Sequence, residues 1–155
     1  MIFYRMKKGF TFVEIMVVVG IIAVLVGIAI PNLLHARLNA NENSAISNLQ
    51  TISIAAQTYL SVDNTLLPAT LDQLYDEGYI DDKLGCSSEP CEKNGYKYYM
   101  GGTGTSASFF VYTVPKTPNV TGVRSFCAGS DGATRVSSSG ATPASQAACT
   151  AWAPL

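Results

Sequence analysis

Apolar residues dominate the first third of the chain and then thin into a stripe. From Ile15 to Leu34 there are twenty residues without a charge. As a helix rising about 1.5 Å per residue, that run is long enough to cross a hydrocarbon core. It also exceeds the h-region of an ordinary signal peptide, which runs to about 15 residues. The pattern then changes without stopping. Leu34, Leu38, Ala45, Leu49, Ile52, Ala56 and Tyr59 recur at steps of 4, 7, 4, 3, 4 and 3. That is the one-sided stripe of an amphipathic helix. Asn39, Asn41, Glu42, Asn43, Ser47, Asn48 and Gln50 lie between those positions. One helix over Phe10 to Val62 is therefore predicted, apolar all round in its first half and one-sided in its second. Pro31 takes away one backbone donor and is expected to kink or loosen the helix.

Beyond the long helix the pattern is that of a small α+β head. Asp63-Asn64 ends the helix. Thr70-Leu71-Asp72-Gln73 reads as a capping box, opening a short helix to Glu77 that Gly78 closes. Residues 81 to 95 read as a polar loop. Strand signals follow at Tyr96 to Met100, Ala107 to Val114, Gly122 to Cys127 and Ala133 to Ser137. The last two flank the turn Gly129-Ser130-Asp131-Gly132. An antiparallel sheet of about four strands is expected. The Ser-, Ala-, Thr- and Pro-rich stretch from Ser137 to Leu155 is expected to be coil pinned by Cys149.

Charge sharpens the membrane reading. Charged residues make up 14% of the chain and the formal net charge is −1; mean hydropathy is +0.21. Arg5, Lys7 and Lys8 precede the apolar run, so the positive-inside rule puts the N-terminus in the cytoplasm and the head across the membrane. Without residues 1–9 the chain keeps seven positive and eleven negative side chains. That acidity argues against nucleic acid as a partner.

Four cysteines, Cys86, Cys91, Cys127 and Cys149, all follow the apolar segment. An even count beyond a membrane anchor points to two disulfides in an oxidising compartment. A zinc site is disfavoured, because no C-x-x-C occurs and the one histidine, His35, lies far away. Asp81, Asp82 and Asp131 are acids a calcium ion could use, but no loop has the dense oxygen spacing of a cation site. Tyr96, Tyr98, Tyr99, Phe109, Phe110 and Tyr112 are spaced for core and cross-strand packing rather than as a stacking platform for bases or sugars. No nucleophile–base pair and no phosphate loop is visible. The chain is read as no enzyme, with no cofactor and no metal.

Glu14 is the residue that most needs explaining. A carboxylate at the head of a membrane span is costly to bury, and no cation lies within the span. A cut before Phe10 would create an α-amino group one helical turn away. Gly9-Phe10-Thr11-Phe12-Val13-Glu14, with Lys7-Lys8 before it and Pro31 after it, resembles the type III signal segment of type IV prepilins and pseudopilins. The resemblance implies cleavage between Gly9 and Phe10 by a membrane aspartyl peptidase, which also N-methylates Phe10. It implies that Glu14 pairs with the N-terminal amine of a neighbouring subunit, and that Pro31 is the family's helix-breaking proline. In this reading residues 1–9 are a leader to be removed and 10–34 the transmembrane and assembly half of the helix. Residues 35–62 are its amphipathic half and 63–155 the globular head.

The resemblance further implies the pilin fold, a homo-oligomeric helical filament and an inner-membrane assembly platform. The precursor would sit in a bacterial inner membrane with its head in the periplasm, and the product would be an extracellular pilus or a periplasmic pseudopilus. Pro68, Leu71, Leu74, Gly78 and Tyr79 look like the region after the long helix in pseudopilin-like subunits. Gly122 to Phe126, Asp131-Gly132 and Arg135 are similar to the last hairpin of a group of bacterial pilins. A Cys127–Cys149 bridge would resemble the C-terminal disulfide-bounded loop of many type IV pilins, although four cysteines allow three pairings. The favoured role is major pilin. The alternatives are a major pseudopilin of type II secretion, a minor tip pilin with an adhesive or DNA-capturing role, and a signal-anchored monomer that does not assemble.

Overall fold

The computed structural model describes residues 9–63, 68, 70–102 and 108–155. Arg5, Lys7 and Lys8 of the expected leader, Asn64 and Ala107 lie outside the described residues. The chain divides into two compact units, Met1–Ala36 and Arg37–Leu155.

Helix α1 spans Phe12–Asp63 and contributes to both units. In the first unit its apolar side chains are all exposed; Ile22, for example, is 53% exposed. Pro31 stands inside α1 without interrupting it. Proline cannot donate to the carbonyl four residues back. Beside it, Asn32 Nδ2 donates to Ile28 O at 3.3 Å.

In the second unit α1 buries one stripe: Ala45, Leu49, Ile52, Ala56 and Tyr59. Helix α2, Leu71–Asp76, opens as its sequence predicts, with Thr70 Oγ1 accepting from Gln73 N. It ends in a Schellman motif: Gly78 N donates to Tyr75 O and Tyr79 N to Leu74 O. Gly78 has φ of +76°, a conformation that only glycine adopts without strain.

The sheet holds six strands, not about four. They are β1 Cys91–Lys93, β2 Tyr96–Gly101, β3 Phe110–Pro115, β4 Ser125–Gly129, β5 Thr134–Ser137 and β6 Ala153–Pro154. They lie side by side in chain order, each antiparallel to the next. The two additional strands come from segments expected to be loop and coil. Strand β1 ends at Asn94-Gly95, where both residues take positive φ, so Lys93 pairs with Tyr96 across a two-residue hairpin. Asn-Gly is the strongest short hairpin signal. In the tail, a short helix α3, Gln146–Thr150, is capped by Ser145 Oγ, and β6 pairs with β5.

Alternation sorts the two sheet faces. Tyr96, Tyr98 and Met100 of β2, Val111 and Thr113 of β3 and Phe126 of β4 point into the core with the α1 stripe, Leu71 and Leu74. Buried Thr113 satisfies its hydroxyl by donating to Lys97 O at 2.9 Å. Strand β4 is buried on both faces. The tail covers its outer side through the Cys127–Cys149 bond and through Gln146 Nε2, which donates to Ser130 Oγ at 3.0 Å.

Candidate assembly interface and head anchor

The first unit presents Gly9 and Phe10, both exposed, ahead of α1. Thr11 is its N-cap. Thr11 Oγ1 accepts from Glu14 N at 3.3 Å, while Glu14 Oε2 accepts from Thr11 N at 3.0 Å and from Thr11 Oγ1 at 2.9 Å. This is a reciprocal capping box, and its T-x-x-E spacing was legible but unread in the sequence. Glu14 is thus held at the start of its own helix. Its carboxylate is exposed. The helix that follows is long and apolar enough to cross a membrane. An apolar surface of this extent requires a cover of lipid or of other protein.

The second unit holds α1 by polar contacts as well as by its apolar stripe. The decisive residue is Glu42, only 4% exposed. It stands in the seven-residue gap of the apolar stripe, at a position where the helical period demands a core side chain. An acid there needs donors. Oε1 accepts from Val123 N at 3.0 Å and Arg124 N at 3.2 Å, and Oε2 from Arg124 Nε at 2.8 Å. The Arg124 guanidinium also lies 2.6 Å away through NH2. Burial pushes this carboxyl up. The backbone bond from Val123 and the bonds and charge of Arg124 outweigh it, and hold Glu42 below the ordinary glutamate value. Sequence reading placed Glu42 among the polar residues and missed this role; the missed signal was the gap in the stripe.

Neighbouring residues repeat the device. Asn41 Nδ2 donates to Thr121 O at 2.9 Å and Asn48 Nδ2 to the Tyr98 hydroxyl at 3.0 Å. Glu89 accepts from Leu71 N and Met100 N, each at 3.1 Å. It thereby joins the start of α2 to the part of β2 that runs past β1.

The cysteines form two bonds, Cys86–Cys91 and Cys127–Cys149. Cys86–Cys91 ties the chain before β1 to that strand, and Cys127–Cys149 closes the tail over β4. The acids considered for calcium are engaged separately. Asp81 pairs with Lys93 at 2.7 Å and Asp131 with Arg135. Among the described residues no group of three or more His, Cys, Asp or Glu could hold a metal ion. The aromatics divide by face. Tyr96, Tyr98 and Phe109 are core. Tyr99 stacks on its cross-strand partner Tyr112 at 4.8 Å, and Phe110 lies 6.0 Å from Tyr112, on the outer face. His35 is exposed.

Residues 4–30 match the family described as "Prokaryotic N-terminal methylation motif". That match and the relatives with which it shares a segment support the pilin and pseudopilin family for this chain. Its curated relatives include both branches. It is 37% identical over 67 residues to the type II secretion system core protein G of Pectobacterium carotovorum, covering 43% of this chain and 42% of that one. It is 40% identical over 60 residues to the type IV wide pilus major component PilA4 of Thermus thermophilus, covering 39% and 45%. To the type IV major pilin protein PilA of Myxococcus xanthus it is 36% identical over 55 residues, covering 36% and 25%. The pilin-like chain therefore spans less than half the length of each of these relatives. No solved structure matches it.

Proposed function

We propose that this pilin-family chain is a structural subunit, cut between Gly9 and Phe10, methylated on Phe10 and polymerised through α1 into a type IV pilus-like filament as its major subunit. The observation that carries the reading is the state of α1 in its first unit. Its apolar side chains are exposed on every side of the helix, and the one carboxylate is poised at its head. Lipid covers that surface before assembly, and the same segment of other copies covers it afterwards. Removing residues 1–9 takes away a basic segment and leaves an amine near Glu14. Glu14 of an adjacent copy neutralises that amine, so two costly ions become one pair and the pair selects one axial stagger. Pro31 is the proposed point at which α1 yields during packing.

The pilus reading is supported by the Cys127–Cys149 bond, which staples the tail over the sheet. The second reading, a type II secretion pseudopilin, is supported by the relatives named core protein G. Peptidase processing is tested by Gly9→Ala. The expected result is accumulation of a chain longer by residues 1–9, seen by electrophoretic mobility and Edman sequencing. Unchanged mobility for Gly9→Ala would contradict the proposed cut and favour a plain membrane anchor.

A further inference from the structure

Two surfaces of the second unit are exposed, partly apolar and opposite in charge. The first is the loop joining β3 to β4. It is rigidly built: Thr117 N donates to Thr121 Oγ1, Asn119 N to Gly122 O, and Asn41 and Glu42 of α1 bind its far side. Despite that order it presents Val120, 69% exposed, and Val123, 43% exposed, to solvent. Residues 116–124 contain Lys116 and Arg124 and no acid, and both cations are already paired, Lys116 with Glu92 and Arg124 with Glu42. Arg37 stands one helical turn before Asn41, on the same face of α1, exposed and with no ion pair among the described residues. With Lys116 and Arg124 paired, Arg37 supplies the positive charge this surface has to offer a partner.

The second surface is the end of α2. Tyr75 is 42% exposed. Asp76 and Glu77 follow it, and Asp82 and Lys83 come after the turn at Gly78; all four are exposed, none has an ion pair among the described residues, and the acids outnumber the lysine. The local balance is negative.

Both surfaces are fixed to α1, but at different points. The loop is held at Asn41 and Glu42, while α2 is held at Tyr59, whose hydroxyl accepts from Gln73 Nε2 at 2.7 Å. Along α1 those points are about 25 Å apart at 1.5 Å per residue. The two surfaces of one molecule therefore cannot satisfy each other. Two different complementary surfaces on one chain make a heterologous contact, and such contacts repeat into rings or open helical arrays.

We infer that the 117–124 loop with Arg37 docks on the Tyr75–Glu77 end of α2 and Asp82 of a second copy of this chain, as a heterologous contact between globular heads that reinforces the stagger selected by Glu14. The inference rests on the filament reading above and adds the surface that reading leaves unassigned. The apolar half of α1 supplies cohesion, but apart from Glu14 its surface is nearly uniform and adds little to register. The valines and Tyr75 form the dry centre of the head contact, and the opposed charges steer it and reject like-with-like docking.

The test uses the full chain in cells that assemble it. Val120→Cys and Glu77→Cys are made singly and together, and whole filaments are treated with a short bismaleimide. All four native cysteines are disulfide-bonded, so they do not compete. The double variant is expected to give a ladder of dimers, trimers and higher species, and each single variant only monomers. Dimers from a single variant would show like patches meeting, which overturns the inference. Intact sheared filaments with no ladder in the double variant would also overturn it and leave the filament reading standing. A wild-type chain never found in sheared filaments would remove the filament reading and this inference with it. As an independent readout, Arg37→Glu and Glu77→Lys should each lower sheared filament yield ~10-fold, with the pair restoring it to within ~3-fold of wild type. Equal yields for all three variants would contradict the contact.

Discussion

The two halves of α1 share one helix and teach opposite lessons. Before Ala36 its large apolar side chains are exposed and its polar chemistry sits at one end, in Thr11 and Glu14. After Arg37 the apolar side chains narrow to a buried stripe, and acid and amide groups within that region are spent on the head: Glu42 on Val123 and Arg124, Asn41 on Thr121, Asn48 on Tyr98. The second half is stabilised by partners within its own chain. Among the described residues the first half buries none of its apolar side chains, and its cover is expected from outside the chain. On the proposed filament reading the difference separates what folds the protein from what assembles it, and substitutions should divide along the same line.

The largest expected effect belongs to the assembly half. Glu14→Leu should leave the head's thermal unfolding unchanged, yet lower the yield of sheared filaments more than ~10-fold, because the neighbouring amine loses its counter-charge. Filament yield equal to wild type would place Glu14 outside assembly. In the head, the double substitution Cys127→Ser with Cys149→Ser should cost about 3 kcal/mol by releasing the closed loop, measured by denaturant unfolding in detergent. Glu42→Gln should cost about 2 kcal/mol, since the charged acceptor of Val123 and Arg124 is lost. It should also flatten the acid limb of stability. A carboxyl held below its ordinary value stabilises the fold above the unfolded-state value near 4.3 and loses that contribution as pH falls through the folded value. Wild type should therefore lose more stability than Glu42→Gln between about pH 5 and pH 3. Glu89→Ala should cost about 1 kcal/mol, by leaving Leu71 N and Met100 N without an acceptor. The smallest effect is Val24→Ala: its side chain is 66% exposed, and head stability should stay within about 0.5 kcal/mol of wild type.

Much of this division could be read along the chain, because it is written in periodicity. The change from an unbroken apolar run to steps of three and four marks the two halves of α1, and Thr70 with Gly78 brackets α2. What escaped has a common physical cause: polar residues carry signal only through their partners. Glu42 looked like surface, since Arg124 is distant in sequence and only the fold brings it near. Glu14 reads as the partner of a neighbour's amine, and its bonds to Thr11 at its own helix start show only in the fold. Strand β1 is short, and its one strong cue, Asn94-Gly95, was absorbed into a polar loop. Strand β6 offers too few residues for alternation to register, and the tail's small polar residues disguised the cover it forms over β4.

The central claim is that α1's apolar half is released from its leader to become the core of a filament. Intact mass spectrometry of filaments sheared from cells tests it most directly. The account predicts a dominant species that begins at N-methylated Phe10 and carries two disulfides. A chain still bearing residues 1–9 in every fraction, and absent from sheared material, would contradict it.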